Sequence, residues 1–426
     1  MEKTNQFLTS YRKTVLDNGL RIVTERVPHA QSISLGLWVG YGSRFETPEL
    51  NGICHFIEHM LFKGTARRSA YDIAREMDSV GGIINAFTSK EMTSFYCKVL
   101  SENTELAVDL LTDLFLNASF PEDEIEREKQ VICQEILQVE DTPEDLVYEM
   151  LGVRFWQDDP LGRPILGTIP TVSAFDRETV VRYKVDHYTP EETIVCAAGD
   201  LEHDALVEMI EKEMGRLKKG VGPLTGPKPV NIASTEVVRR ELEQVHVCVG
   251  VEGPSALDPA RHAAHLLNNI LGGGMSSRLF QEIREKRGLA YSVYSFISTF
   301  SDTGMFGVYA GCDAARLEEL LSVIRKESVE LPDTLTEEEI RTAKQQIRGS
   351  AILANESTDS VMNRLAKSEY FFRRHIPLEE VLDAVNRVTR AELCEMAEQM
   401  VHPSRFTTVA LGPVPNTTDP LAILSS

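Results

Sequence analysis

Residues 52–65 read GICHFIEHMLFKGT, and the spacing inside this stretch predicts a metal site on a helix. Apolar residues surround the polar ones at helical intervals, and residues four apart share one helix face. His55 and His59 can therefore offer two nitrogens to one metal ion. Glu58 lies close enough to take a proton from a water that such an ion activates. For the motif taken alone, two histidines in an ordinary helix core are the alternative.

A two-histidine zinc site needs a third protein ligand and an open position, and Glu135 is the candidate. It lies on a helix predicted to begin near Pro121, on a face shared with Ile132 and Val139. A carboxylate between these apolar residues would be costly to bury without a cation. Glu128, two turns earlier on the same face, can accept a hydrogen bond from a ligand histidine. A partly exposed amphipathic boundary is the alternative for this helix.

Two halves of the chain show the same order of predicted elements, which indicates an internal duplication. The first half gives an Asn-Gly hairpin at 18–19, an alternating strand at 33–39, the His55 helix, a strand from 82 to about 100, and the Glu135 helix. The second half gives an alternating strand at 245–251, a helix with His262 and His265, a strand led by Gly288, and a helix opening at Thr336. Where the first half has Glu58, His59, Glu135 and Glu128, the second has Asn268, Asn269, Ser350 and Ala343. Only the first half therefore carries all of the residues that could bind and support a metal ion.

Mixed strands and helices without regular alternation predict an α+β fold with two structurally homologous halves. Each half is expected to be a mainly antiparallel sheet flanked by helices. A glycine- and proline-rich stretch predicts an exposed linker at 218–238. The predicted domains are residues 1–217, with the metal set, and residues 239–426, without one.

Composition narrows the possible partners and the compartment. The formal net charge is −21, which argues against nucleic-acid binding because phosphate recognition needs a basic surface. The seven cysteines include no C-x-x-C pair, so a disulfide framework is not expected and a reducing compartment fits. Residues 1–13 lack an apolar core of the signal-peptide type, and no apolar stretch approaches membrane-spanning length. A cytoplasmic protein without a membrane partner is expected.

At the residues quoted above, the sequence resembles the pitrilysin/insulinase family of inverted zincins. The subgroup it resembles most is that of mitochondrial processing peptidase β-subunits and bacterial processing-protease homologues. The family signature is H-x-x-E-H with a glutamate 76 positions later, and Glu135 follows His59 by 76 positions. The resemblance runs from about residue 12 to residue 412. It implies one Zn²⁺ per chain held by His55, His59 and Glu135, with Glu58 as general base and Glu128 supporting a ligand histidine.

The resemblance also implies residues that bind substrate. An edge strand would bind an extended peptide through main-chain hydrogen bonds. It would comprise Gly82, Ile83, Ile84, Asn85, Ala86, Phe87 and Thr88. Without the resemblance, these residues would be interpreted as a plain half-buried strand. Arg284 and Tyr291 in the second half match a pair that binds substrate and supports the transition state, whereas Arg284 alone would be interpreted as a solvated helix residue.

Together these features predict a zinc-dependent endopeptidase that hydrolyses short unstructured peptides inside a closed chamber. Members of the family build the chamber from four such domains, so a chain with two is expected to form a homodimer in which the second subunit completes the active site. One alternative is a non-catalytic peptide-binding partner subunit of a heterodimeric peptidase. Another is a metal-dependent enzyme of a different hydrolytic class.

Overall fold

The computed structural model describes residues 10–220, 222, 226, 228–400 and 405–425, and it divides the chain into two units. The first unit comprises Met1–Ile136, Arg163–Thr225 and Ile352–Ile376, and the second comprises Leu137–Gly162, Gly226–Ala351 and Pro377–Ser426. Residues 1–9 of the predicted first domain lie outside the described residues. So do residues 221, 223–225 and 227 of the predicted linker and residues 401–404 and 426 of the predicted second domain.

The strands of the first unit are β1 (Ser10–Val15), β2 (Arg21–Arg26), β3 (Ser32–Val39), β4 (Ile83–Thr88), β5 (Thr93–Leu100) and β6 (Thr193–Gly199). Those of the second unit are β7 (Thr235–Arg239), β8 (Val245–Gly253), β9 (Ala290–Thr299), β10 (Gly304–Cys312) and β11 (Thr407–Gly412). The predicted hairpin joins β1 to β2, and Gly19 adopts a φ of 95° in its turn, a conformation that glycine reaches without strain.

The helices, in chain order, are α1 (Ile53–Leu61), α2 (Ala70–Ser79), α3 (Thr104–Asn117), α4 (Glu122–Asp141), α5 (Pro143–Trp156), α6 (Ile169–Ala174), α7 (Arg177–His187), α8 (His203–Met214), α9 (Arg261–Leu271), α10 (Leu317–Val329), α11 (Leu331–Thr334), α12 (Glu337–Ala354), α13 (Thr358–Phe372), α14 (Leu378–Arg387), α15 (Arg390–Met400) and α16 (Pro420–Ser425). A π-helical segment spans Phe280–Lys286. Within the described ranges, none of the helices combines the length and apolar character needed to cross a membrane.

The two sheets have the same topology apart from one extra strand. The first has the order β1-β2-β6-β3-β5-β4 and the second the order β7-β11-β8-β10-β9. In each sheet one neighbouring pair is parallel, β2 with β6 and β7 with β11, and the other pairs are antiparallel. The predicted α+β fold with two homologous, mainly antiparallel halves is confirmed.

The central strand β3 is buried on both faces, which explains how the first core is arranged. Ile33, Leu35 and Leu37 belong to a core that also contains Phe56 of α1. On the opposite face, Trp38 belongs to a smaller core with Leu365 and neighbouring residues of α13. Since strand side chains alternate between faces, a single strand serves both layers.

Helices α5 and α13 occupy equivalent positions in the duplication, and each belongs to the other half's unit. Helix α5 follows α4 in the chain but packs on β8 and β11 of the second unit. Helix α13 follows α12 but packs on β2, β3 and β6 of the first unit. The units therefore differ from the predicted division into residues 1–217 and 239–426, because these two helices bury their apolar faces on the other sheet.

Two smaller predictions also need correction. The residues from Gly82 to Leu100 form a hairpin of β4 and β5 rather than one strand, because the chain reverses between Thr88 and Thr93. The predicted linker ends earlier than expected, since Thr235–Arg239 is strand β7, whose backbone pairs with β11. Glycine and proline residues mark where the linker lies. Strand β7, however, has only five residues, which is too short for a sequence pattern to distinguish it from a loop.

Candidate functional site

Helix α1 begins at a glycine that a side chain could not replace. Gly52 has a φ of 97°, and a Cβ there would lie 2.7 Å from the Leu166 carbonyl oxygen. Since glycine has no capping side chain, the buried Glu46 carboxylate takes that role by accepting hydrogen bonds from the backbone N–H groups of Gly52 and Cys54, each at 2.8 Å. A negative group at a helix N-terminus is also favoured by the helix dipole. This contact fixes the start of the helix that carries His55.

The structure brings His55, His59 and Glu135 together. The Glu135 Oε2 atom lies 3.8 Å from His55 Nε2 and 3.7 Å from His59 Nε2. Within the described residues, these three were found as a set of metal-capable side chains, with ligand atoms all within 4.8 Å of one another. Helix α1 supplies the two histidines and α4 the carboxylate, as the motif spacing predicts.

The donor set fits zinc. Two donors bound tetrahedrally at 2.0–2.1 Å from one ion stand about 3.3 Å apart. The distances from Glu135 Oε2 to the two histidine nitrogens, 3.8 and 3.7 Å, would therefore need to shorten by only a few tenths of an ångström. Two imidazole nitrogens and one carboxylate oxygen are a known catalytic ligand set, which leaves a position for water or substrate.

Glu128 of α4 is almost fully buried and joins two residues of the α1 region. His59 Nδ1–H donates to Glu128 Oε2 at 3.0 Å, and the Lys63 ammonium lies 2.5 Å from Oε1. Burial raises the pKa of Glu128, but the hydrogen bonds from His59 and Lys63 outweigh it, and the net pKa is lowered. The ionised carboxylate thus orients the His59 ring, as expected for a residue that supports a metal ligand.

The two histidines differ in their surroundings. Burial, with a smaller contribution from His59, lowers the pKa of His55 to about 3 and keeps its imidazole neutral. Burial also lowers the pKa of His59, but Glu128 and Glu135 outweigh it, and the net pKa is raised. His55 Nδ1 finds no hydrogen-bond partner within the described part of the chain. His59 is therefore the histidine whose orientation is fixed by a hydrogen bond.

Glu58 lies between the two histidines in the chain, with its carboxylate bonded to the neighbouring sheet. Thr88 Oγ1 donates to Glu58 Oε2 at 2.6 Å. Burial raises the pKa of Glu58, and the nearby carboxylate of Glu135 raises it further. The hydrogen bond from Thr88 and the interaction with His59 lower it, but the net pKa is raised. A carboxylate with a raised pKa is a better proton acceptor, which suits a general base.

The predicted substrate strand lies at the edge of the first sheet. Ile83–Thr88 is strand β4, which pairs with β5 alone among the strands that the structure describes, while Gly82 directly precedes it. Ile83 and Asn85 are exposed, whereas Ile84 and Ala86 pack on the first core. An edge strand offers unpaired main-chain groups to an extended peptide. Peptide binding by these residues stays a prediction.

Arg284 and Tyr291 belong to the second unit and contact each other. The Arg284 guanidinium lies 4.2 Å from the centre of the Tyr291 ring, and its Nη1–H donates to the Tyr291 carbonyl at 3.1 Å. Tyr291 is 74% exposed. The pair is thus formed within one unit and presents an exposed tyrosine side chain, and its action on substrate stays a prediction.

Sequence reasoning missed three residues that support the site: Glu46, Lys63 and the hydroxyl of Thr88. Lys63 could have been found, because it follows His59 by four positions and so continues the same helix face. Glu46 and Thr88 reach α1 from other segments, and no spacing in the sequence signals such contacts.

Two family models match the chain. Residues 21–169 match the insulinase model, Peptidase family M16, and residues 174–347 match a model described as the Peptidase M16 inactive domain. The first match contains all three candidate metal ligands. The second contains Asn268 and Asn269, which stand where the first half has Glu58 and His59.

Curated relatives match over nearly the full length. An uncharacterized zinc protease of Bacillus subtilis is 40% identical over 391 residues, which cover 91% of this chain and 95% of that protein. One from Mycobacterium tuberculosis is 42% identical over 409 residues, which cover 94% and 93%.

Solved structures share the fold. A protease from Helicobacter pylori has a TM-score of 0.87 at 23% identity and covers 96% of this chain and all of that one. A Pseudomonas fluorescens structure, described as a peptidase M16 inactive domain, has a TM-score of 0.88 at 21% identity and covers 96% and 99%. The resemblance inferred from the motif is confirmed, and the chain belongs to the M16, or insulinase, family of peptidases.

Proposed function

We propose that this protein is a zinc-dependent endopeptidase that hydrolyses short, unstructured peptides. The observation that carries the proposal is the cluster of His55, His59 and Glu135. Glu58 lies on α1 together with the two histidines. The relatives named as zinc proteases support Zn²⁺ as the cofactor, one ion per chain.

The bound ion would polarise the peptide carbonyl and lower the pKa of a water molecule. Glu58 would accept a proton from the attacking water and pass it to the leaving amine. Its raised pKa favours the first step, because a more basic carboxylate takes the proton more readily. Glu128 keeps the His59 ring in the orientation that binds metal.

The substrate would lie along β4 as an added strand. This mode of binding selects extended chains, since main-chain groups must be free to pair. Arg284 and Tyr291 are proposed to hold a substrate carbonyl and to donate to the developing oxyanion. A basic peptide is a suitable first substrate, because the chain has a net charge of −21.

The family resemblance supports a homodimer that encloses the peptide in a chamber, with Arg284 and Tyr291 of one subunit serving the zinc site of the other. A cytoplasmic location belongs to the same proposal. Mixing a zinc-ligand variant with an Arg284/Tyr291 double variant is expected to recover part of the activity if the subunits share a site. Absence of any recovery would contradict sharing.

The direct test is cleavage of an unstructured basic peptide by the wild-type protein and by Glu58→Gln. We expect the variant to bind zinc and to lose activity by about 1,000-fold or more, since it lacks the proton acceptor. Glu126→Gln is the matched control, because it removes an exposed carboxylate of α4 that pairs only with Lys129 among the described ion pairs.

The outcomes separate the candidate functions. Cleavage by wild type that stops with a chelator and in Glu58→Gln supports the peptidase. Zinc binding and peptide binding without cleavage would favour a non-catalytic partner subunit instead. Zinc binding with neither peptide binding nor cleavage would point to another hydrolytic class.

A further inference from the structure

Thr88 ends the edge strand β4 and contacts the side chain of Glu58 on α1. The hydroxyl–carboxylate distance is 2.6 Å, which is in the range of strong hydrogen bonds to an ionised oxygen. The contact joins two residues that are 30 positions apart in the chain. It is a direct link between the strand proposed to bind peptide and the group proposed to move the proton.

The register of the hairpin determines where the Thr88 side chain lies. Thr88 pairs with Thr93, and the two preceding same-face residues, Ala86 and Ile84, pack on the first core beneath the sheet. Side chains two apart on a strand share a face, so Thr88 lies on the side of α1. A shift by one residue would turn the hydroxyl to the opposite face and break the contact.

A general base works only when its oxygen is held near the proton that it accepts. A free glutamate side chain has several rotamers, and each misplaced one lowers the rate without changing substrate binding. The Thr88 hydroxyl donates to Oε2 of Glu58 and so holds one oxygen of the carboxylate. In the proposed reaction, Oε1 would then accept the proton. Thr88 is itself held by the pairing of β4 with β5, so the backbone of β4 determines this orientation.

We propose that Thr88 is a positioning residue for Glu58, and that its hydroxyl sets the orientation of the general base relative to the edge strand. A peptide that pairs with β4 is thereby aligned with the base through a single strand residue. This inference rests on the proposed function, in which Glu58 is the base. It goes further by giving the side chain of Thr88 a role separate from main-chain pairing.

The test uses Thr88→Val, which keeps the branched shape and removes the hydroxyl, and Thr88→Ser, which keeps the hydroxyl. We expect Thr88→Val to lower kcat by about 10- to 100-fold with little change in KM, as for loss of one hydrogen bond to a charged group. Thr88→Ser should recover most of the rate. Zinc content should stay at the wild-type value in both variants.

Thr93→Val is the matched control on the same hairpin. Its hydroxyl donates to the Tyr41 carbonyl at 2.9 Å, so this change removes a threonine hydroxyl opposite Thr88 while sparing the bond to Glu58. A loss of kcat in Thr93→Val equal to that in Thr88→Val would show that hairpin stability, rather than the bond to Glu58, controls the rate. That result would overturn the inference.

A binding measurement separates positioning from substrate recognition. In the Glu58→Gln background, peptide affinity should be the same with and without Thr88→Val, because the proposed role acts through the base. A fall of tenfold or more would make Thr88 a substrate contact and overturn the inference. If wild type cleaves peptide and Thr88→Val cleaves equally well, the inference alone fails; if wild type does not cleave, the proposed function fails with it.

Discussion

The two halves of this chain share a sheet topology but differ at the positions that could hold a metal. In the first half, α1 and α4 present His55, His59 and Glu135 to one another. In the second, α9 and α12 have His265 exposed on the surface, Asn269 in place of the second histidine and Ser350 in place of the carboxylate. The backbone plan alone therefore does not make a metal site, and a few side chains decide it.

Glu128, which is proposed to support a metal ligand, shows the difference in energetic terms. Glu128 is buried as an ion, which is tolerated because His59 and Lys63 bond to both of its oxygens. The equivalent residue of α12 is Ala343, which is equally buried and belongs to the apolar core of the second unit. The half without the metal-capable set thus has a methyl group at the position where the other half buries a charge.

The strongest test of the comparison replaces Glu135 with Gln. The amide is a poorer metal ligand than a carboxylate, so we expect zinc content to fall below one ion per chain and peptidase activity to fall by about 1,000-fold. Ser350→Ala at the equivalent position of α12 should change neither quantity. Metal analysis and peptide cleavage measure both, and a Glu135→Gln protein with full zinc content would remove Glu135 from the ligand set.

A smaller effect is expected from the residues behind His59. Glu128→Gln should weaken zinc affinity by about 10- to 100-fold, because the His59 ring loses its charged acceptor. Lys63→Gln should weaken it less, since Glu128 still accepts from His59. Competition with a chelator measures the affinities, with Lys129→Gln on α4 as the control. An unchanged affinity in Glu128→Gln would contradict the role given to this residue.

The smallest effect concerns the two exchanged helices, α5 and α13. Asp359 at the start of α13 accepts from Ser34 at 2.6 Å and from Lys98 at 2.8 Å. Asp359→Asn should lower the free energy of unfolding of the first unit by about 1 kcal/mol. This loss should be smaller at high salt, because salt already screens a partly exposed ion pair in the wild-type protein. Tyr148→Phe on α5, which loses a bond to Ser298, should cost about 0.5 kcal/mol without salt dependence. Chemical denaturation at two ionic strengths compares them, and equal salt dependence would count against the electrostatic explanation.

Much of the fold could be predicted because it is encoded by local patterns. Alternating residues predicted β3 and β8, the Asn-Gly pair predicted the first hairpin, and the repeated order of elements predicted the duplication. The exchange of α5 and α13 could not be predicted, since an amphipathic pattern shows which helix face is buried but not which sheet covers it. The predicted strand from Gly82 to Leu100 was wrong because four residues, 89–92, suffice for a reversal without a strong turn signal.

The candidate site divides in the same way. His55, His59 and Glu58 could be predicted from helical spacing, and Glu135 from its unusual apolar neighbours. The contacts of Glu46 and Thr88 with α1 depend on tertiary structure, which brings a loop and a strand end to the helix. Residues that hold a site in place are found by geometry when their partners are distant in sequence.

The exchanged helices have a consequence for how the chain folds during synthesis. The sheet face that carries Val23, Trp38 and Ile194 is covered by α13, which ends at Phe372. During synthesis this face therefore stays uncovered until about 170 further residues beyond β6 have been made. Meanwhile α5, with Leu151 and Phe155, has no sheet to cover until β8 and β11 are made. Chaperones that shield apolar surface are expected to meet this nascent chain, and a chain cut at the linker should not yield two stable halves.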